Sequence, residues 1–415
     1  MREMKDSGIE WIGDIPVSWK VMPNKYLMRK KKKICPVYHG EDILSLTMKG
    51  VIVRDLDAGG KMPTSFDGYQ RLEAGNLLMC LFDIDVTPRC VGLIKQAGVS
   101  SPAYSQFVLR KGADAAYYCY YYTVLDNDKT LLHLAKNLRH SLTEDQLGAI
   151  PVIVPPVDEQ QRIANFLDAK CAEIDALTAD IQTQIDTLEQ YKRSVITETV
   201  TKGLNLNAEM KDSGIQWIGN MPAHWDVIRG KYILRYMQKP VREDDGVITC
   251  FRDGEVTLRS NRREDGFTMS DKEIGYQGID VGDLVVHGMD GFAGSIGISD
   301  SRGKASPVLN VLDTDQCKRY IMYYLRSMAY SDVFLALATG IRVRSCDLRW
   351  NKLAELSYPV PPLDEQNAIV KHIDSVLSKA DAVIADKKAQ LATLDEYKKS
   401  LIFEYVTGKK EVPAP

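Results

Sequence analysis

The chain has 415 residues, 45% of them hydrophobic and 26% charged, with a formal net charge of −3. That balance excludes wholesale disorder and leaves room for two domains or three, each able to bury a core. No apolar run approaches the ~18 residues of a membrane span, Met1–Asp14 lacks a signal-peptide core, and the eight cysteines stand singly, so a cytoplasmic protein with reduced thiols is expected.

In chain order, the first feature is Met4–Trp19, MKDSGIEWIGDIPVSW, which returns as MKDSGIQWIGNMPAHW at Met210–Trp225. Eleven of sixteen positions are identical at an offset of 206. The same offset carries Val154–Gln160 onto Val360–Gln366, Tyr191-Lys192 onto Tyr397-Lys398 and Val200-Thr201 onto Val406-Thr407. The chain is therefore a tandem duplication. Trp11, Trp19, Trp217 and Trp225 are expected to anchor their repeats.

Residues 20–157 read as mixed α/β, with β-like runs at Leu77–Phe82, Val91–Ile94 and Phe107–Leu109. Tyr117–Leu125 is apolar and aromatic, and its pattern fits either helix or strand. This insert holds 18 Lys+Arg against 13 Asp+Glu and opens on the run Arg29–Lys33.

Pro155-Pro156 then breaks the chain before a long helix with Asp158 as N-cap and Gln161 at the capping-box position. Leu167, Ile174, Ile181, Leu188 and Val195 recur every seven residues, and Ile163, Leu177 and Tyr191 fill intervening positions. Gly203 is a stop. A helix of roughly 40 residues would span about 60 Å, and so long a seam needs a partner.

The second repeat follows the same order. Residues 226–363 are again mixed α/β, with runs at Leu284–Val286 and Val308–Leu312 and a helix expected within Tyr320–Leu337. Pro362 and Asp364 open the second long helix. Its stripe is Ile373, Ala380, Lys387, Leu394 and Leu401, widened by Leu377, Ile384 and Leu391, with Gly408 as its stop. The two seams are expected to pair antiparallel. Symmetry is completed only if the start of the chain packs beside the end of the second helix.

Residues 227–357 hold 19 Lys+Arg against 18 Asp+Glu, with the arginines clustered. Arginines in glycine-containing loops suit phosphate and base-edge contact. The candidate nucleic-acid contacts are Lys31, Lys33, Lys49, Arg54, Lys61 and Arg89 in the first insert. In the second they are Arg252, Arg259, Arg262, Arg263, Arg302, Lys304, Arg342 and Arg344. Solvated surface is the plain alternative for any single cluster. The spacer and partner-binding candidates are Leu167, Ile174, Ile181 and Leu188, with Ile373, Ile384, Leu391 and Leu394.

No phosphate-binding P-loop, H-E-x-x-H, G-x-S-x-G, dinucleotide fingerprint or Asn-Pro-Pro-aromatic motif is present. His39, His224 and His287 are isolated. Asp158-Glu159-Gln160 suggests a metal site, but its recurrence at a helix start favours capping.

These blocks resemble the DNA-specificity subunit of type I restriction–modification enzymes. KDSGIEWIGDIPVSW, the duplicated PPxDEQ helix and the insert skeletons carry the likeness. In the first insert these skeletons are Ser45-Leu46-Thr47, Gly50-Val51-Ile52, Gly75-Asn76-Leu77-Leu78 and Val99–Tyr104. In the second they are Cys250–Gly254, Gly282-Asp283-Leu284-Val285 and Arg302–Pro307. The resemblance implies an α/β fold of two target recognition domains joined by two long helices in an antiparallel coiled coil. The implied boundaries are 1–157, 158–205, 206–363, 364–408 and a tail at 409–415.

It further implies a non-catalytic chain whose two domains each read half of a bipartite target in double-stranded DNA. The helices would set the spacing and bind two modification subunits, beside restriction subunits. S-adenosylmethionine, ATP and magnesium would sit on those partners and no cofactor on this chain. The alternative from another class is a structural coiled-coil adaptor that binds only protein.

Overall fold

The structure is a computed structural model that describes residues 2–57, 63–135, 140–262, 274–337 and 348–413. Two compact units divide the chain. The first is Met1–Ile181 with Ala389–Pro415, and the second is Gln182–Lys388.

In the first unit a four-stranded antiparallel sheet is built from β1 (Met28–Lys31), β2 (Leu77–Met79), β3 (Val91–Leu93) and β4 (Ser105–Leu109). The strand order is β1-β4-β2-β3, which leaves β1 on an edge. Leu77, Met79 and Phe107 are buried beneath α1 (Ala115–Asn127). The ambiguous tyrosine run is thus a helix. Asp114 caps it by accepting from the Tyr117 amide at 2.9 Å, and its four buried tyrosines stack edge to face. Then comes α2 (Val157–Lys202), a single helix of 46 residues.

The second unit repeats the plan with β5 (Leu234–Met237), β6 (Leu284–His287), β7 (Ile296–Ile298) and β8 (Leu309–Thr314), in the order β5-β8-β6-β7. Helix α3 (Lys318–Tyr330) covers this sheet, and α4 (Leu363–Val406) closes the series. Mixed α/β units with two long helices are therefore the architecture. No helix among the described residues is long and apolar enough to cross a membrane.

Gln160 and Gln366, rather than Gln161, hold the long helices to their inserts. Each is fully buried. Gln160 donates to Pro155 O at 2.8 Å and accepts from the Asp114 amide at 2.8 Å. Gln366 donates to Pro361 O at 2.9 Å and accepts from the Cys317 amide at 2.9 Å. The helices begin at Val157 and Leu363, so Asp158 and Asp364 lie in the first turn instead of capping it. There they complement the helix dipole.

The end of α4 packs against the chain start within the first unit. Leu401, Ile402, Tyr405 and Val406 share a core with Ile9, Ile12, Ile15 and Trp19. Tyr117 donates to Val406 O at 2.8 Å, and Lys409 donates to Ile12 O and Asp14 O, each at 2.8 Å. In the second unit Ile196 and Val200 of α2 pack likewise on Ile218, Met221 and Trp225, and Tyr320 donates to Val200 O at 3.0 Å. Gly203 and Gly408 stop the helices at φ of 74° and 73°. A Cβ on Gly408 would meet Pro16 and Trp19 within 3 Å, so a larger residue is excluded there.

Candidate nucleic-acid interface and helix faces

In each unit a stretch of α2 runs antiparallel to a stretch of α4. In the second unit Gln184 meets Lys387, and Lys192 meets Asp381 at 2.6 Å. In the first, the Phe166 and Tyr405 rings pack tilted with centroids 4.5 Å apart, and Asp175 meets Lys398 at 2.6 Å. Lys192–Asp381 and Lys398–Asp175 are one ion pair repeated at the offset of 206.

Buried or half-buried positions of α4 run Ile373, Leu377, Ala380, Ile384, Lys387, Leu391, Leu394, Lys398 and Leu401, alternating steps of four and three. This is the expected stripe. In α2 the series Leu167, Ile174, Ile181, Leu188 and Val195 also turns inward, but its companions are Cys171, Thr178, Ile185 and Lys192. Leu177 and Tyr191, read as seam positions, are 46% and 52% exposed. The reason is helical phase: a heptad seam steps four residues from Ile174 to Thr178, and hydrophobicity alone had favoured Leu177. Applying the offset of 206 to Leu377, Ile384 and Leu391 finds the correct companions.

The displaced residues form a stripe of their own. Gln184, Thr187, Tyr191 and Ser194 on α2, in the second unit, recur as Gln390, Thr393, Tyr397 and Ser400 on α4, in the first. All eight lie outside the buried core, with Tyr191 at 52% and Tyr397 at 55% exposure. The spacing again alternates three and four.

Among the described residues, carboxylates hold three of the second unit's candidate cations, Arg252, Arg262 and Arg302. The Arg302 guanidinium reaches Asp245 at 2.8 Å, Asp280 at 2.5 Å and Pro240 O at 3.0 Å, and Lys239 adds Asp280 and Asp283. The hydrogen bonds from Lys239 and Arg302 pull the Asp280 carboxyl down to about 2. Arg262 lies 4.1 Å over Phe251 and reaches Asp253 and Glu255 at 2.8 and 2.9 Å. Arg252 meets Asp290 at 3.1 Å, and Arg259 donates to Thr249 Oγ1 at 3.2 Å. Lys304 is half-buried in the strand Gly303–Ala305. Arg263, Arg342 and Arg344 lie outside the described residues, as does Lys61.

The first unit differs. Arg89 is held by Asp126 at 3.3 Å and Asn127 at 2.9 Å, and Lys31 by Glu73 at 2.5 Å. Lys33 and Lys49 are exposed, Lys49 at the turn of the hairpin Leu44–Thr47/Gly50–Val53. Arg54 is half-buried just beyond that hairpin. Lys25, Tyr26, Arg29, Lys30 and Arg110, none of them among the candidates, also stand exposed along the β1 edge. Strand register would have found Arg110, because it directly follows the residue paired with Met28.

His287 is no ligand: its Nδ1 accepts from the Met289 and Asp290 amides, and burial lowers its pKa. Among the described residues no group of three or more His, Cys, Asp or Glu side chains is placed to hold a metal ion.

No family model matches the chain. Two curated proteins of Methanocaldococcus jannaschii do. One, named as the MjaX specificity subunit of a type I restriction enzyme, is 25% identical over 286 residues, covering 66% of this chain and 62% of its own length. The other, the MjaVIII specificity subunit, is 24% identical over 280 residues, covering 63% of each. The match thus spans a little over three-fifths of these relatives. A solved chain from a type I restriction–modification system superposes with a TM-score of 0.67 over 95% of this chain and 99% of that one, at 13% identity. In sequence the chain is similar to specificity subunits of type I restriction enzymes, and it shares the fold of a solved chain from a type I restriction–modification system.

Proposed function

We propose that this chain is the DNA-recognition subunit of a type I restriction–modification complex and has no catalysis of its own. The observation that carries the reading is a shared frame holding unlike inserts. The frame repeats to single hydrogen bonds, as at Gln160 and Gln366, while the charged surfaces of the two inserts differ. Such a frame reads two unlike half-sites at a fixed separation.

Modification subunits would dock on the long helices, twice per chain. The Thr-Tyr-Ser part of the stripe, exposed in both copies, supports this: its recurrence offers one chemistry to two copies of one partner, and its heptad spacing suits a helix. With nine Asp+Glu against five Lys+Arg in Val157–Lys202, α2 is a poor surface for a polyanion. S-adenosylmethionine, ATP and magnesium would be held by the partners.

Replacing residues 20–157 with the same segment of a relative, then mapping methylated bases in host DNA, tests the reading. One half of the recognised sequence is expected to change. A change in both halves would overturn it, and a chain without salt-dependent duplex binding would be the protein-binding adaptor instead.

A further inference from the structure

The β1 edge of the first unit and the β5 edge of the second have the same backbone and differ in whether their cations are neutralised. Met28 pairs with Leu109 and Arg29 with Val108; Leu234 pairs with Thr314 and Arg235 with Asp313. The register makes Arg29 the counterpart of Arg235, Val108 of Asp313 and Arg110 of Asp315. Arg235 is clamped by Asp313 at 2.7 Å and Asp315 at 2.8 Å. Lys231, the counterpart of Lys25, is held by Glu355 at 3.0 Å.

In the first unit the clamp is missing. Among the described residues neither Arg29 nor Arg110 has a carboxylate within 4.0 Å. Arg110 instead donates to Lys25 O at 3.2 Å, which sets a second cation beside Lys25. Lys25 lies 5.3 Å from the centre of the exposed Tyr26 ring, and Lys30 is only 3.7 Å from the exposed Glu144. A cleft of about 370 Å³ opens among Lys25, Arg29, Lys30 and Arg110, and Glu144 and Asp145 also line it, so four cations face two carboxylates there.

Like charges gathered on a strand edge, where the sister unit spends carboxylates to neutralise them, are placed for an external anion. We infer that this edge grips consecutive phosphates of the nucleic-acid backbone, and that the second unit has no such grip at the matching place. This rests on the DNA-recognition reading and adds an asymmetry to it. Base reading is shared between inserts, whereas this backbone anchoring belongs to the first alone.

The test is salt-titrated binding of the full chain to a mixed-sequence duplex. Arg29→Gln with Arg110→Gln should flatten the salt slope by about two units, at ~0.9 per phosphate contact. Arg235→Gln should leave it unchanged. The graft Val108→Asp with Arg110→Asp copies the second unit's clamp onto Arg29. It should keep the melting curve, since the sister strand carries those residues, and flatten the slope at least as much.

An unaltered slope in both first-unit variants, or an equal loss from Arg235→Gln, would overturn the asymmetry while leaving the DNA reading intact. Wild-type chain that binds no duplex would remove both. Inorganic phosphate at matched ionic strength should displace the duplex no better than chloride. Displacement that depends on Arg29 and Arg110 would assign the edge to free phosphate and overturn the proposal.

Discussion

The two units share a frame and differ in how they use arginine. The second ties Arg235, Arg262 and Arg302 into carboxylates of its own, so its arginine clusters largely hold the insert together. The first leaves Arg29 and Arg110 without such partners. Counting cations along the sequence recorded the surplus of the first insert but misplaced its cause. Among the described residues of the second insert's clusters, Arg252, Arg262 and Arg302 are paired with carboxylates. Arginine density marks a surface only after the nearby carboxylates have been counted.

Removing single elements sharpens the comparison. The largest effect is expected in the helix seam that both units share. Ile373 is fully buried, and Ile373→Ala should cost about 2–5 kcal/mol of unfolding free energy, read by urea denaturation. Tyr191→Ala with Tyr397→Ala should stay within about 0.5 kcal/mol, because both side chains are half exposed. The same double variant should lose assembly with the modification subunit in co-purification. Retained assembly would disprove the docking stripe.

Next comes the second unit's ion network. Asp245 keeps 4% of its side chain exposed and Arg302 22%. Arg302→Ala strands Asp245 and should destabilise by about 2–3 kcal/mol, less than the ~3–5 of a fully buried pair. Arg29→Ala in the first unit should change stability by less than about 0.5 kcal/mol. If the two arginines proved equivalent in stability, the contrast between the units would fail.

The smallest effect concerns pH. The Asp280 carboxyl lies at about 2 in the fold against an ordinary 3.8, so its stabilising contribution is full above 3.8 and is lost as pH falls towards 2. Acid titration of thermal stability should show that loss, and Asp280→Asn should abolish it. A variant that keeps the wild-type acid profile would show that the pair does not control it.

Much of the molecule was legible in the sequence. The repeat gave two equivalent units, and the heptad series gave long helices whose α4 stripe matches residue for residue. In α2 the companions failed at Leu177 and Tyr191. A period of seven fixes which residues share a face, but not on which side of them the partner helix lies. Gln160 and Gln366 were visible as a repeated motif, yet their hydrogen bonds reach 46 and 49 residues back along the chain.

The sequence by itself determined the duplication, the two long helices and the closure of the chain's start onto its end, because these follow from period and identity, which are local or repeated. Tertiary structure decided which cations stay open. Asp313 and Asp315 lie 78 and 80 residues from Arg235 and meet it only across a strand pair. Coulomb attraction at hydrogen-bond range depends on that pairing and on nothing in the neighbouring sequence.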